Sequence, residues 1–109
     1  MEKRIPLTTK NNIYFVIPDD ILYCKCNNTS TTFYLRNQPE ITISKGMKVV
    51  EKLLDGNNFI RPHQSYLVNQ NHIVMVDKTD NYTLVLSNNQ RLPSAIRRRK
   101  EMMDLLKVG

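Results

Sequence analysis

The sequence lacks the features that mark an exported, membrane-spanning or fibrous protein. Its 109 residues include two cysteines, three glycines and five prolines, and no apolar run approaches the ~18 residues of a membrane span. The polar start of the chain leads into no signal-peptide core. We therefore expect one soluble, cytoplasmic domain over residues 1–109, with residues 1–4 as a disordered or linker segment and no contact with a membrane.

The two cysteines, Cys24 and Cys26, indicate neither a disulfide nor a metal site. They stand two residues apart in a strand-like stretch, where a bond between their sulfurs would be badly strained. No nearby histidine completes a set of metal ligands. We expect two reduced thiols on one face of a strand, packed or half-exposed, and neither a metal nor a cofactor.

Motifs of an enzyme are missing as well. The chain has no Gly-x-Ser-x-Gly, no glycine-rich phosphate loop and no group of metal-ligating carboxylates. A nucleophile, a base and an acid can be named in Ser65, His63 and Asp77, but the acidic residues fall at ordinary turn positions. We expect no catalytic activity.

Apolar residues recur mostly with a period of two, which indicates β-strands separated by turns rich in Asn, Asp, Ser and Pro. Phe59 and Ile60 are expected to anchor a polar loop over residues 61–64. The aromatic side chains expected in the core are Phe15, Tyr23, Phe33, Phe59 and Tyr66. The candidates for exposure are Tyr14, Tyr34 and Tyr82. The predicted strands cover residues 5–8, 13–17, 21–24, 31–36, 40–44, 65–68, 72–76, 82–86 and 91–92.

Two segments have helical spacing instead. Residues 45–54 predict one short internal helix with Ser44 as its N-cap, and residues 95–106 predict a terminal helix capped by Ser94. Ile96 is expected on the apolar side of the terminal helix. The sequence thus predicts a mainly β fold, antiparallel, with one internal and one C-terminal helix.

Positive charge is concentrated at the end of the chain. The formal net charge is +6, and residues 91–109 hold six lysines and arginines against two acids, a net of +4. Near the predicted helix start, such cations oppose the helix dipole, although a solvated basic helix end is a common alternative. We interpret the cluster as phosphate-contacting. Its members are Arg97, Arg98, Arg99 and Lys100.

The most informative stretch is residues 58–69, which holds four neighbouring hydrogen-bonding side chains between apolar anchors. Arginine and glutamine can bond bidentately to guanine and adenine edges. Structural roles remain equally open for two of the four: a histidine beside proline often bonds backbone carbonyls, and an arginine often pairs with a strand-end acid such as Asp77. The four side chains are Arg61, His63, Gln64 and Ser65.

This stretch resembles the core motif of the LytTR-type DNA-binding domain, the effector module of many bacterial response regulators. The resemblance covers residues ~5–106 and includes an acid before an Ile-Leu-Tyr strand and a Leu-Pro pair before a basic helix. The matching residues are Asp20-Ile21-Leu22-Tyr23, Leu54, Asn58-Phe59-Ile60-Arg61-Pro62-His63-Gln64-Ser65-Tyr66-Leu67-Val68-Asn69, Ile73 and Leu92-Pro93.

The resemblance implies an elongated antiparallel β assembly that binds double-stranded DNA through loops in successive major grooves at direct repeats, as a transcription regulator. By similarity, bases are contacted from residues 27–31, with Ser30 favoured, from Gln64, and from an arginine at the start of the terminal helix. The expected DNA-binding residues are Asn28, Ser30, Arg61, His63, Gln64, Ser65, Asn69, Arg97, Arg98, Arg99 and Lys100.

The chain departs from the family pattern at the terminal helix. The family commonly reads Leu-Pro-x-Ser-Arg, and an ungapped match places Ala95 at the serine and Ile96 at the arginine. Either Arg97 takes the contact through a local shift, which we favour, or base readout is lost there.

Besides DNA, we expect an N-terminal phosphoacceptor receiver domain or a second copy of the chain as partner, because a module of this size buries only a modest area on DNA. The alternative hypothesis is an RNA-binding or protein-interaction β module without base-specific DNA readout.

Overall fold

A computed structural model of the protein describes residues 3–108 as ten strands in three antiparallel sheets with two short α-helices. Met1 and Glu2, which belong to the predicted linker, and Gly109 lie outside the described residues. The extents are 43 × 31 × 23 Å and the Cα radius of gyration is 13.7 Å. The predicted mainly β, elongated fold is confirmed.

The strands are β1 (Ile5–Thr8), β2 (Ile13–Val16), β3 (Ile21–Cys26), β4 (Thr31–Leu35), β5 (Ile41–Ile43), β6 (Phe59–His63), β7 (Tyr66–Asn69), β8 (Ile73–Asp77), β9 (Thr83–Leu86) and β10 (Arg91–Leu92). A five-stranded sheet occupies the centre of the domain, in the order β5-β4-β3-β7-β6. A two-stranded sheet pairs β1 with β2, and a three-stranded sheet has the order β10-β9-β8.

The internal helix, α1 (Met47–Leu53), joins β5 to β6. Its N-cap is Gly46 and no side chain caps it, so the predicted cap at Ser44 is wrong. The chain leaves the helix through Gly56, whose φ of +80° lies in the left-handed region that glycine adopts without strain. The helix ends at Leu53 with Leu54 as its C-cap, in agreement with the predicted end at residue 54.

The terminal helix begins later than predicted. A 3₁₀ turn over Ile96–Arg98 precedes α2 (Arg99–Leu105). Ser94 caps neither element, because its hydroxyl donates to the carbonyl oxygen of Tyr82 over 2.7 Å. Further 3₁₀ turns, Pro18–Asp20 and Gln70–His72, precede β3 and β8.

Both faces of the five-stranded sheet are covered by apolar packing, because successive strand residues point to opposite faces. One cluster joins the sheet to β1 and α1, with Phe33 and Val50 both 0% exposed. The other joins it to β9, β10 and α2 through Leu84, Leu92 and Met102. Fully burying one such side chain stabilises the fold by about 1.5–3 kcal/mol.

Cys24 and Cys26 both pack in the first cluster, which confirms that they share one face of β3. Burial raises the pKa of each thiol, most strongly for Cys24. Both groups therefore behave as small apolar side chains in the core.

Two predicted core residues are exposed instead. Phe15 is 63% exposed, because β2 pairs with β1 alone among the described strands and buries Val16 but not Phe15. Ile96 is 78% exposed, because it lies in the 3₁₀ turn before α2 and does not continue the buried side of that helix.

Candidate nucleic-acid interface

The β3–β4 turn (residues 27–30) is organised by the side chain of Asn27. Its Oδ1 accepts hydrogen bonds from the backbone amides of Ser30 over 2.7 Å and Thr29 over 2.9 Å. The Asn27 amide donates to the carbonyl oxygen of Ser30 over 2.9 Å. This Asx-turn holds Asn28 in solvent and leaves Ser30 half-buried.

The β6–β7 turn (residues 64–65) is equally constrained. The amide of Ser65 donates to Nδ1 of His63 over 3.1 Å, and the His63 ring lies edge-on to Tyr66 with centroids 5.6 Å apart. Nδ1 of His63 is thus occupied as an acceptor, and the half-buried ring is held against its own turn. Gln64 is exposed at the tip of the turn.

Arg61 lies on β6, within the segment that the sequence predicted as a polar loop; the structure makes residues 61–63 part of the strand. Its Nη2 donates to the carbonyl oxygen of Gln64 over 3.0 Å, and its Nη1 to Oε1 of Glu51 over 3.1 Å. The suggested partner Asp77 instead binds Arg91 over 2.8 Å. The guanidinium of Arg61 is therefore committed to the protein's own turn and to α1.

The two turns lie side by side. The amide of Cys26 donates to the carbonyl oxygen of Ser65 over 2.7 Å, and Asn28 and Gln64 line the same shallow cleft. The start of α1 packs tightly beneath the β3–β4 turn: a Cβ on Gly46 would lie 2.6 Å from the carbonyl oxygen of Asn28. Only glycine fits this approach without a shift of the backbone.

A third segment, the pre-helix turn (residues 95–98), is attached to β6. The amide of Ala95 donates to the carbonyl oxygen of Pro62 over 2.8 Å. Arg97 is exposed and Arg98 is half-buried, and Lys100 is exposed on the first turn of α2. Arg99 is used differently: it donates to the carbonyl oxygen of Asn81 over 3.0 Å, and its guanidinium stacks 4.6 Å from the ring centroid of Tyr82.

We call these three turns, with the adjoining His63 and Lys100, the three-turn surface. Hydrogen bonds link the last residue of β3 to the β6–β7 turn, and β6, which leads into that turn, to the pre-helix turn. The structure thus brings together predicted site residues that are up to about seventy positions apart in sequence. Those on the surface are Asn28, Ser30, His63, Gln64, Ser65, Arg97, Arg98 and Lys100.

Asn69, expected to bind DNA, is not on the three-turn surface. It lies at the other end of β7 and is 1% exposed. Its Nδ2 donates to the carbonyl oxygen of Ile21 over 3.0 Å, and its Oδ1 accepts from the amide of Asn71 over 2.9 Å. Because its side chain is buried and bonded within the fold, the expectation of a DNA contact is corrected to a structural role.

The neighbouring carboxylate of Asp19 completes this structural network. The side chains of Asn71 and Asn69 donate to its Oδ1 over 2.9 and 3.3 Å. The hydrogen bond from Asn71 is the largest cause that lowers the pKa of Asp19 below its usual 3.8, and His72 and Arg36 add favourable charge.

Two features of the site were missed at the level of sequence, Glu51 and Gly46, and Thr31, expected among the base-contacting residues 27–31, is instead 0% exposed. Thr31 donates from Oγ1 to the carbonyl oxygen of Lys45 over 2.8 Å and so ties β4 to the approach of α1. Each of these residues acts on a partner at least ten positions away, and no local spacing signals such a contact. Within residues 3–108, no cluster of three metal-ligating side chains occurs and no helix is long and apolar enough to cross a membrane.

These observations define an antiparallel β domain that presents polar turns beside a cationic helix start. The chain matches the family model of the LytTr DNA-binding domain over residues 11–107, and it belongs to that family. The resemblance inferred from the central motif is confirmed. A solved LytTr DNA-binding domain from Bacillus cereus has the same fold, with a TM-score of 0.81 and 24% identity over 99% of this chain and 100% of that one.

Similar proteins include two described as sensory transduction proteins. The chain is 29% identical to LytR of Staphylococcus saprophyticus over 94% of its own length, and 26% identical to LytT of Bacillus subtilis over 98%. It is 28% identical over 84% of its length to the transcriptional regulatory protein LytR of Staphylococcus aureus. The chain spans only 42%, 45% and 37% of these relatives, respectively.

Proposed function

We propose that the chain is a sequence-specific duplex DNA-binding module of a transcription regulator, and that the three-turn surface contacts a single duplex. The observation that carries the proposal is the pair of backbone hydrogen bonds, Cys26 to Ser65 and Ala95 to Pro62, that hold the three turns next to one another. Three cations of the basic C-terminal segment, Arg97, Arg98 and Lys100, supply attraction to phosphates on this same surface.

Bases are read from the two strand turns. The major groove of DNA, about 12 Å wide, admits a narrow β-turn as well as a helix. Gln64 stands at the exposed tip of a turn whose backbone is held on both sides, and its amide can bond bidentately to adenine. Asn28 and Ser30 offer further amide and hydroxyl groups from the adjacent turn, and His63 and Ser65 flank Gln64.

Phosphates are contacted mainly from the pre-helix turn and α2. Arg97, Arg98 and Lys100 make neither an ion pair nor a side-chain hydrogen bond among the described residues, whereas Arg99 is held by Asn81 and Tyr82. Phosphate contacts orient a protein on DNA, whereas base contacts select the site. In this division of roles, Arg61 and Arg99 hold the turns in place.

We further propose that the chain works as part of a longer response regulator and binds in pairs. The names of its relatives, together with their greater length, support a receiver domain as partner. A module of this size buries on the order of 1,000 Å² on DNA, so selective binding in the cytoplasm requires two copies on direct repeats.

Selection of duplexes from a random pool tests the proposal. We expect the chain to enrich a defined sequence, and Gln64→Ala to lose preference at one base position with little change elsewhere. A duplex with two copies of the enriched sequence is expected to bind more tightly per site than one with a single copy. Recovery of unrelated duplexes would contradict sequence-specific binding, and equal affinity per site would contradict pairing.

A second candidate function has one observation in its favour. Tyr14 and Phe15 are 41% and 63% exposed on β2, and exposed aromatic rings are what single-stranded RNA or a protein partner would contact. Competition between the enriched duplex and single-stranded RNA separates the two functions, because preference for the RNA would favour the second.

A further inference from the structure

We infer that Ile96 is a specificity-determining residue that packs against the 5-methyl group of a thymine in the major groove. The inference rests on the proposed DNA-binding function. It adds a reading role to the pre-helix turn beside the phosphate contacts proposed for Arg97 and Arg98, which carry no sequence information.

The exposure of Ile96 is the first observation. At 78%, it is the most exposed large apolar side chain among the described residues. The side chain therefore contributes almost nothing to the core, although it lies only six residues before Met102, which is 2% exposed. The side chain is exposed on the same turn as Arg97 and Arg98, so a duplex held by those two cations would lie within its reach.

The rigidity of its backbone is the second observation. Ala95, the preceding residue, donates to Pro62, and the amide of Arg98 donates back to Ala95 over 2.9 Å. The amide of Arg99 donates to the carbonyl oxygen of Ile96 itself, and the Arg99 side chain is stacked on Tyr82. Ile96 is thus presented on a fixed turn, so little conformational entropy is lost on contact.

The chemistry of the groove selects the ligand. The side chain of isoleucine neither donates nor accepts a hydrogen bond. The thymine methyl is the apolar group that a base pair offers in the major groove. The β-branched side chain also has few χ1 rotamers, which suits a shape contact with a methyl group. Arg97 and Arg98, the next two residues, supply the cations that bring this turn to the phosphates on either side of the base.

Removal of the methyl group alone provides the test. The probe is the duplex most enriched by the wild-type chain from a random pool, with each thymine replaced in turn by deoxyuridine. At one position, we expect the loss of the methyl to weaken wild-type binding about fourfold, the effect of one buried methyl-sized group. Ile96→Ala should bind the thymine duplex more weakly and show no response to deoxyuridine there, whereas Ile96→Val should retain the response.

Val74→Ala is the matched control, because Val74 is also exposed, at 64%, but lies on β8 outside the three-turn surface. It should respond to deoxyuridine as the wild type does. Because Ile96 is not packed in the core, its variants should melt at the wild-type temperature. If every thymine position affects wild type and Ile96→Ala equally, the inference is overturned while the proposed function stands. If no duplex is enriched at all, the proposed function itself fails.

Discussion

Arg61 and Gln64 are joined by a hydrogen bond from Nη2 of the arginine to the backbone carbonyl oxygen of the glutamine, 3.0 Å long. The bond reaches from β6 across the β6–β7 turn and fixes the peptide that follows the exposed Gln64 side chain. The other arm of the same guanidinium is held by Glu51 on α1, so the orientation of the β6–β7 turn is coupled to the helix.

Glu51→Gln tests this coupling. Electrostatics alone predicts that the loss of an acid near the three-turn surface tightens binding to every duplex. The structure predicts instead that discrimination between the enriched duplex and a scrambled one falls about threefold or more, because the amide oxygen that replaces the carboxylate is uncharged and holds Arg61 more weakly. The measurement is the ratio of the two dissociation constants by fluorescence anisotropy.

Glu101→Gln is the matched control, since Glu101 is exposed on the first turn of α2 and forms no ion pair among the described residues. It should tighten binding to both duplexes alike. Equal behaviour of the two variants would show that Glu51 acts by charge alone and does not position the turn.

Gly46→Ala should damage both stability and DNA binding. The new methyl would meet the carbonyl oxygen of Asn28 at 2.6 Å, so α1 and the β3–β4 turn must separate. We expect a loss of about 1–3 kcal/mol in the free energy of unfolding, together with weaker discrimination between duplexes. Urea unfolding and anisotropy measure the two effects.

Gly56→Ala separates these effects. Gly56 has a φ of +80°, but no atom lies within 4 Å of the position that a Cβ would take. Alanine there should therefore lower the free energy of unfolding by about 1 kcal/mol or more through backbone strain alone. Its discrimination between duplexes should be that of the wild type. A loss of discrimination in this variant too would show that general destabilisation, and not displacement of the turn, impairs binding.

Arg97→Ala should reduce the dependence of affinity on salt. A plot of log affinity against log salt concentration is expected to lose about 0.9 from the magnitude of its slope, the effect of one phosphate contact. Arg36→Ala is the control, because Arg36 binds Asp20 over 2.9 Å and follows the end of β4 remote from the β3–β4 turn. An unchanged slope for Arg97→Ala would remove Arg97 from the phosphate contacts.

The carboxylate of Asp19 makes stability depend on pH. Its pKa is lowered below 3.8, chiefly by the hydrogen bond from Asn71. A carboxyl group with a lower pKa in the folded state stabilises the fold above its unfolded pKa, and that contribution disappears as the pH falls through the folded value. The free energy of unfolding should therefore decline from about pH 5 to pH 3, less steeply in Asp19→Asn than in wild type.

Asp55→Asn is the control for this measurement, because Asp55 is an exposed carboxylate outside the Asn69 and Asn71 network. The free energy of unfolding of Asp55→Asn should depend on pH more nearly as in the wild type than that of Asp19→Asn does. Identical profiles for wild type and Asp19→Asn would contradict the assignment.

The strands could be predicted from the sequence because their signal is local. In β4, the alternation over residues 31–35 correctly predicts which side chains are buried. The reason is that successive residues of a strand face opposite sides of the sheet. The start of the terminal helix could not be predicted from the sequence, because a 3₁₀ turn and an α-helical turn have similar spacings of apolar residues. Phe15 was misplaced for a different reason: all four residues of β2 are apolar, but the strand pairs with β1 alone among the described strands and only Val16 is buried.

The turns of the site could be predicted, but the partners of their side chains could not. Asn69 and Gln64 are both polar residues beside a strand, yet Asn69 bonds to Ile21, 48 positions away, and is buried. The residues next to Asn69 in the sequence do not reveal a partner 48 positions away. Arg61 was similarly ambiguous until the fold placed Glu51 beside it.

The shared use of three turns by one duplex is tested most directly by titrating ¹⁵N-labelled protein with the enriched duplex and following amide resonances. We expect the amides of Asn28, Gln64 and Arg97 to shift together and to saturate at the same molar ratio, while those of Val74 and Met75 on β8 stay in place. Shifts confined to one turn, or strongest on β8 or β2, would contradict the account.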